Sequence, residues 1–287
     1  TLKLEKENTG STMRRVIFRP DRTGAVSLKQ EGNCLRVVNG AVSFAADNAL
    51  YYGLYSLRYE GREWLHSGYP ARENRSWYTE WAGGLHGFIY PIYSNGTLKE
   101  PRTTAFCEKA DEDGLLWRGI ETIVSVEHNE KVSGLILHLR CLTLPGLPLL
   151  KFEACVENKR GVPMDVELFR IAYLHPGTER GARLYIAPGC EKWINCFAEE
   201  AIDEIFETRL AKLESPERKE KLYMYCSASR DFEQVEANTD PKILRMDAIR
   251  KLRVEAGYRA TFAPDYVLFA ERDLVQDDFM LLDRNNC

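Results

Sequence analysis

The sequence predicts an all-β chain, a large antiparallel β-sandwich with one helical insertion. Short apolar runs recur along the chain and are separated by Gly, Asn and Asp turn residues. Two mid-chain segments, 132–142 and 149–157, alternate apolar and polar side chains, as half-buried strands do. No helical pattern lies between these strands, which favours antiparallel sheets packed face to face.

Length and composition agree with one globular domain over residues 1–287, because β-sandwiches often exceed 200 residues. Apolar residues make up 44% of the chain and charged residues 29%, and the net charge of −4 argues against a nucleic-acid-binding surface. No apolar run approaches the roughly 20 residues of a membrane-spanning helix. The polar N-terminal segment shows no signal peptide, so we expect a cytoplasmic protein.

The first half of the chain contains several hairpin signals. Asn39-Gly40 separates two apolar runs, and both residues tolerate the positive φ of a tight turn. Glu60-Gly61, between the apolar runs 52–59 and 62–65, indicates a second hairpin turn. The runs predicted as strands in this half are 15–18, 25–29, 35–38, 41–45, 52–59 and 62–65.

The second half continues the strand pattern with one interruption. Apolar residues at three- and four-residue spacing over 198–213 predict a helix, which Pro216 and a charged run end. This charged helix offers a surface for a homodimer. The remaining predicted strands are 122–126, 132–142, 149–157, 166–173, 222–226, 232–235, 252–255, 258–262 and 266–270.

The eight cysteines are scattered, and none forms a Cys-x-x-Cys pair. Zinc-ligand spacing is therefore absent, and we expect no bound zinc. Cys141 and Cys155 lie inside apolar strand patterns, where a reduced thiol packs as a small hydrophobe. We expect all eight thiols to be free in a reducing compartment.

The segment 77–93 is the richest in chemistry. It combines His86 between glycines with the aromatic side chains of Trp77, Trp81 and Tyr90. Aromatic faces can stack on sugar rings, and glycine lets the backbone approach a ligand closely. The same pattern also fits a glycine-rich turn whose aromatic side chains pack on the core.

Two further positions are candidates for proton transfer. His175 follows a predicted strand and precedes a Pro-Gly turn, and histidine titrates near neutral pH. A histidine that only caps the strand is the alternative. Glu236 lies where another strand runs into a polar turn, and taken alone this segment favours a solvated turn.

The order of these candidate residues along the chain resembles that of the galactose mutarotase-like superfamily, which includes aldose 1-epimerases and hexose-6-phosphate epimerases. Leu85-His86-Gly87 looks like the family's first histidine motif, His175 like its histidine at a mid-chain strand end, and Glu236 like its late glutamate. Asn74-Arg75 takes the place of an Asn-Arg pair that precedes the first histidine in aldose epimerases. Leu174 stands where the family has Asn before its second histidine, and Tyr90-Pro91 where it has an arginine.

The resemblance implies a supersandwich fold and interconversion of sugar anomers by general acid–base catalysis, with no metal and no cofactor. Glu236 would accept the proton of the C1 hydroxyl, and His175 would protonate the ring oxygen. The substrate-binding residues would be His86, Arg75, Asn74, Trp77, Trp81 and Tyr90, and the partner a small sugar or sugar phosphate. A non-catalytic carbohydrate-binding or accessory domain of a larger protein is the alternative, because a fold does not settle function.

Overall fold

A computed structural model of the protein describes residues 2–4, 13–15, 20, 24–75, 78–177, 180–187, 192–274, 278–279 and 282. Strands dominate this part of the chain, as the sequence predicts, and the helix at Tyr93–Thr97 is short. No helix in the described ranges is long and apolar enough to cross a membrane.

Twenty-four strands and one helix follow one another along the described residues. In chain order they are β1 (Leu2–Leu4), β2 (Met13–Arg15), β3 (Ser27–Glu31), β4 (Cys34–Val38), β5 (Val42–Asp47), β6 (Leu54–Tyr59), β7 (Arg62–Glu63), β8 (Glu73–Arg75), β9 (Tyr78–Trp81), β10 (Leu85–Ile89), α1 (Tyr93–Thr97), β11 (Arg102–Ala110), β12 (Leu116–Ser125), β13 (Leu135–Thr143), β14 (Leu149–Asn158), β15 (Met164–Tyr173), β16 (Arg183–Ala187), β17 (Lys192–Asn195), β18 (Ile202–Phe206), β19 (Leu210–Glu214), β20 (Lys221–Cys226), β21 (Phe232–Thr239), β22 (Leu244–Val254), β23 (Arg259–Thr261) and β24 (Asp265–Ala270).

Two ten-stranded antiparallel sheets contain most of these strands. Sheet I has the order β18-β21-β22-β15-β10-β6-β5-β4-β3, with β7 beside β6. Sheet II has the order β11-β12-β13-β14-β24-β20-β19-β16-β17, with β23 beside β14. The pairs β1–β2 and β8–β9 form separate two-stranded sheets.

The predicted alternation decides which side chains fill the core. Leu135, Leu137 and Leu139 on β13 are buried in the main hydrophobic cluster, together with Phe152 and Ala154 on β14. These residues share one face because successive side chains in a strand point to opposite sides. The hairpin predicted at Asn39-Gly40 joins β4 to β5, and Gly40 has the positive φ of 96° that the turn requires.

The predicted helix over 198–213 is wrong. The segment forms β18 and β19, which pair with β21 in sheet I and with β16 and β20 in sheet II. Its apolar residues satisfy the helical spacing, but Phe206 is 5% exposed and its neighbour Ile205 is 62% exposed, which is the alternation of a strand. The sequence basis for a homodimer through this helix is thereby removed.

Six of the eight cysteines lie in the described part of the chain and carry free thiols, namely Cys34, Cys107, Cys141, Cys155, Cys196 and Cys226. Cys190 and Cys287 lie outside it. Within the same residues, no group of three or more His, Cys, Asp or Glu side chains is arranged to hold a metal ion. That all eight thiols are free remains a prediction.

Candidate functional site

The candidate site is built on the face of sheet I that points away from sheet II. Strand register aligns His86 on β10 with Ile171 on β15, Ile171 with Asp247 on β22, and Asp247 with Glu236 on β21. Aligned residues project from the same side of a sheet. The adjacent row, which includes Leu85, belongs to the main core, so this row points outward. We call this surface the outer face.

A second row lies two residues along the same strands. Tyr173 on β15 is aligned with Arg245 on β22, and Arg245 with Asn238 on β21. The ring of Trp81 meets that of Tyr173 edge to face, with centroids 5.4 Å apart. The backbone N–H of His66 donates to the Tyr173 carbonyl at 2.9 Å, which brings the loop after β7 to the same row.

Glu236, Arg245 and Asp247 form a compact charged group on the outer face. Arg245 Nη2 donates to Glu236 Oε1 at 2.7 Å and lies 3.1 Å from Asp247 Oδ2. Burial raises the pKa of Asp247 to about 7, with Arg245 opposing the rise and the charge of Glu236 adding to it. Burial also raises the pKa of Glu236, again against the influence of Arg245. A carboxyl group with a pKa of about 7, such as that of Asp247, is suited to exchanging protons near neutral pH.

His86 lies on the outer face but its ring is enclosed. The residue is 2% exposed, and its Nε2 atom lies 3.1 Å from the Tyr51 hydroxyl and 3.2 Å from Ser94 Oγ. Gly53 makes room for it, because a Cβ atom there would lie 2.6 Å from the His86 Cβ. Burial lowers the pKa of His86 to about 3, so the ring is neutral at physiological pH.

His175 lies where β15 ends, beside an open cavity of about 640 Å³. The cavity wall includes Leu65, His66 and the parallel rings of Tyr55 and Tyr69, whose centroids are 3.8 Å apart. His175 Nδ1 accepts a hydrogen bond from the Gly177 N–H at 3.3 Å, which in the neutral ring leaves the proton on Nε2. Glu236 is not one of the residues that line this cavity.

His66, Arg75 and Trp81 form a layer between the cavity and Tyr173. Arg75 Nη1 lies 2.8 Å from His66 Nε2, and its guanidinium carbon lies 4.1 Å from the centre of the Trp81 ring. Burial and the nearby charge of Arg75 lower the pKa of His66 to about 4. Trp81 is 3% exposed and covered by Arg75, so it offers no open face for stacking on a sugar.

The structure separates the remaining predicted residues from this group. Asn74 is exposed and its side-chain oxygen accepts from the Glu80 N–H at 3.2 Å. Tyr90 is 47% exposed at the opposite end of β10, where it lines a different cavity of about 350 Å³. Trp77 lies outside the described residues.

His175 and Glu236 share the outer face but are not adjacent. The register of β15 and β22 ends at Tyr173 and Arg245; extended two residues to His175, it puts Glu236 two strands away and four residues along. A strand spacing of about 4.8 Å and a rise of about 3.3 Å per residue place the two Cα atoms about 16 Å apart. Tyr173 and Arg245 lie between them, so a ligand that meets both groups also meets these two side chains.

Sequence reasoning missed His66, Tyr173, Arg245 and Asp247. The predicted strands left out residues 244–251, because the charges in Leu244-Arg245-Met246-Asp247 conceal the first half of β22. The available signal was the alternation itself, since Arg245 and Asp247 are separated by one apolar residue, as two side chains on one face of a strand are.

Solved structures with similar folds are numerous, but no family model matches the sequence and no curated protein matches it either. The Slr1438 protein from Synechocystis sp. PCC 6803 has a TM-score of 0.58 at 13% identity, over 91% of this chain and 100% of that one. A galactose mutarotase-like protein from Clostridium acetobutylicum has a TM-score of 0.57 at 10% identity, over 87% of this chain and 99% of the other.

This chain has the galactose mutarotase-like fold. The fold-level part of the resemblance inferred from the sequence motifs is thereby confirmed. The GH36 α-galactosidase AgaB from Geobacillus stearothermophilus matches 86% of this chain with a TM-score of 0.56 at 10% identity. The match covers only 41% of that enzyme, so the mutarotase-like fold also occurs as one part of a longer protein. A fold shared at such low identity leaves the activity to be argued from the site.

Proposed function

We propose that the chain binds a small sugar or sugar phosphate on the outer face of sheet I and interconverts its anomers, as an aldose 1-epimerase does. The observation that carries the proposal is the common face of His175 and Glu236, with Arg245 and Tyr173 between them. A general base and a general acid on either side of one ring are the groups that this reaction requires. The mutarotase-like name of the Clostridium relative supports the same substrate class.

In the proposed reaction, the Glu236 carboxylate accepts the proton of the C1 hydroxyl. The electrons of that O–H bond form the C1 carbonyl as the bond from C1 to the ring oxygen breaks. The ring oxygen takes a proton from His175, and the open-chain aldehyde is formed. Rotation about the C1–C2 bond and the reverse steps give the other anomer, so no atom or electron is supplied from outside. Holding the sugar between the two groups also reduces the entropic cost of bringing them together.

The enclosed histidines have supporting roles in this proposal. His86 is neutral and hydrogen-bonded near Tyr51 and Ser94, so it shapes the wall of the site. Arg75 holds His66 next to His175, whose ring centroid lies 5.6 Å from that of His66. The Tyr55–Tyr69 pair replaces Trp81 as the aromatic surface nearest to the open cavity.

The direct test is polarimetric measurement of anomerisation over a panel of free and phosphorylated sugars. Replacing Glu236 with Gln removes one proton-transfer partner and should lower the rate by on the order of 10²–10⁴. Glu233→Gln is the matched control, because Glu233 lies on the same strand, is exposed and bonds only weakly to Lys251 at 3.5 Å. Equal rates for both variants and the wild type, or no rate above the spontaneous one for any sugar, would contradict the proposal.

A second candidate function is carbohydrate binding without catalysis. One observation favours it: the open cavity beside His175 contains the stacked tyrosines, whereas Glu236 is absent from its wall. In this case Tyr55→Ala should weaken sugar binding measured by calorimetry, and Glu236→Gln should leave the affinity nearly unchanged. Binding that depends on Tyr55, together with an absence of anomerisation, would favour this function over the first.

A further inference from the structure

We propose that Asp247 is a positioning residue that acts through Arg245 to hold the Glu236 carboxylate and to set its basicity. The inference rests on the proposed role of Glu236 as the general base. It gives a function to Arg245 and Asp247, which the sequence motifs do not include. Asp247 itself does not touch the substrate in this account.

The geometry of one guanidinium nitrogen carries the inference. Arg245 Nη2 lies 2.7 Å from Glu236 Oε1 and 3.1 Å from Asp247 Oδ2, so the two carboxyl groups share a single donor atom. Strand alignment fixes this arrangement, since Glu236 is directly opposite Asp247 on the neighbouring strand. Protonation or replacement of either carboxyl group therefore alters the interaction of the other with Arg245.

Asp247 and Glu236 differ in burial, and this difference gives them different roles. Asp247 is 2% exposed, and its Oδ1 atom has no hydrogen-bond partner among the described residues. The side chain of Glu236 is 18% exposed and can meet a ligand on the outer face. Asp247 lies beside Glu236 on the neighbouring strand but is more deeply buried, and its carboxyl group can hold a proton on Oδ1 while Oδ2 faces Arg245.

The charge state of Asp247 follows from its surroundings. Besides Arg245, the charges that act on Asp247 and Glu236 are those of the two groups on each other, of Asp203 on β18 and, from the core side of the sheet, of Arg170 on β15. The neutral His86 on β10 lies on the same outer face. Arg170 is bound to Asp265 on the core side, 3.0 Å away. Arg245 is thus the cation directly shared by the two carboxyl groups.

Two states of the group follow. With Asp247 protonated, Arg245 compensates the charge of Glu236 alone, and Glu236 is the weaker base. With Asp247 ionised, Arg245 compensates two negative charges, so the Glu236 carboxylate is stabilised less and Glu236 becomes the stronger base. The pKa of Asp247 is raised to about 7, which places the change between the two states near neutral pH.

Asp247→Asn fixes the first state, because the amide is neutral at every pH. If the inference holds, kcat of the wild type rises in a step near pH 7, and the variant loses that step. At about pH 8 the kcat of the variant should be lower than that of the wild type by on the order of threefold, because a modest gain in the basicity of Glu236 is only partly expressed in the rate. Near pH 5.5 the two kcat values should be equal. KM should be unchanged at both pH values. Asp165→Asn, at the exposed far end of β15, is the control and should keep the step.

A titration of the Glu236 carboxyl carbon by NMR tests the coupling without relying on activity. In the wild type the chemical shift of the Glu236 carboxyl carbon should change in two steps, one of them near pH 7 as Asp247 ionises. In Asp247→Asn only the step at lower pH should remain. If Asp247→Asn does not fold, Arg245→Gln serves instead and should raise the pKa of Glu236. A Glu236 titration that Asp247→Asn leaves unchanged, or that Arg245→Gln leaves unchanged where the first variant does not fold, would overturn the inference. Coupling seen by NMR in a protein that anomerises no sugar would reject the proposed function while leaving the coupling intact.

Discussion

His86 shows how burial changes what a side chain can do. The motif around it resembles a substrate-binding histidine, and the structure does place it on the outer face of sheet I. Its ring, however, is packed against Tyr51, Tyr52 and Tyr173 and is closed to solvent. A neutral imidazole in such a place contributes hydrogen bonds and packing, and it makes the folded state sensitive to acid.

That sensitivity can be measured. Burial lowers the pKa of His86 to about 3, against 6.5 in an unfolded chain, so below pH 6.5 the unfolded state binds a proton that the folded state does not. The free energy of unfolding should therefore fall with falling pH by up to about 1.4 kcal/mol per unit from this residue alone. Urea unfolding of the wild type and His86→Gln from about pH 6 to pH 4 should show the smaller slope in the variant. Parallel curves would contradict the assignment.

Asp247 has the opposite effect on stability. Its pKa in the folded state is about 7, above the usual 3.8, so between these values the folded state binds more protons than the unfolded state. Its contribution is fully present below about pH 4 and is lost as the pH rises through 7. Asp247→Asn removes this loss, so the variant should gain stability relative to the wild type as the pH is raised from about 5 to 8. Thermal unfolding across this range measures the difference, and a constant offset between the two proteins would refute it.

At the scale of single elements, residues 198–214 show how sheet pairing overrides local spacing. Ile202, Phe206, Leu210 and Leu213 fit a helix, yet β18 and β19 belong to different sheets. Each strand completes a ladder with neighbours that are distant in sequence, and no short-range pattern contains that information. The alternation of Ile205 and Phe206 marks the difference, because a helix with this spacing would bury both.

A pair of alanine substitutions tests this element. Phe206→Ala should destabilise the protein by about 3–5 kcal/mol, since Phe206 packs in the main core. Ile205→Ala should change the free energy of unfolding by less than about 0.5 kcal/mol, because Ile205 is exposed. Equal losses at the two positions in urea unfolding would instead indicate a segment that buries both side chains.

At the scale of the whole molecule, a buried ion network joins the two sheets. Arg170 and Arg250 project from sheet I into the core, and both contact Asp265 of sheet II, at 3.0 Å and 2.6 Å. Arg250 also binds Asp231, which precedes β21, at 3.1 Å. Charges buried so completely are tolerated only when they are paired, and here the pairs connect side chains of the two sheets.

Replacing Arg250 with Met leaves Asp265 and Asp231 with less compensation inside the core. The expected cost is about 3–5 kcal/mol in the free energy of unfolding, as for other buried pairs that lose one partner. Arg253→Met on the same strand is the control, since Arg253 is exposed and its ion pairs with Asp165 and Glu255 lie at the surface. Similar losses for the two variants in chemical unfolding would mean that the network adds no stability.

The amino-acid sequence by itself determined the fold class, most of the strands and the mutarotase-like resemblance. Period-two alternation and turn residues are local signals, so 132–142, 149–157 and the Asn39-Gly40 hairpin could be read without a structure. Those signals failed where long-range pairing decided the outcome, in β18, β19 and the first half of β22, and they left β8 to β11, β16 and β17 unpredicted. Only the tertiary structure could enclose His86, cover Trp81 with Arg75 and set Asp247 opposite Glu236, because burial and register depend on strands far apart in the chain.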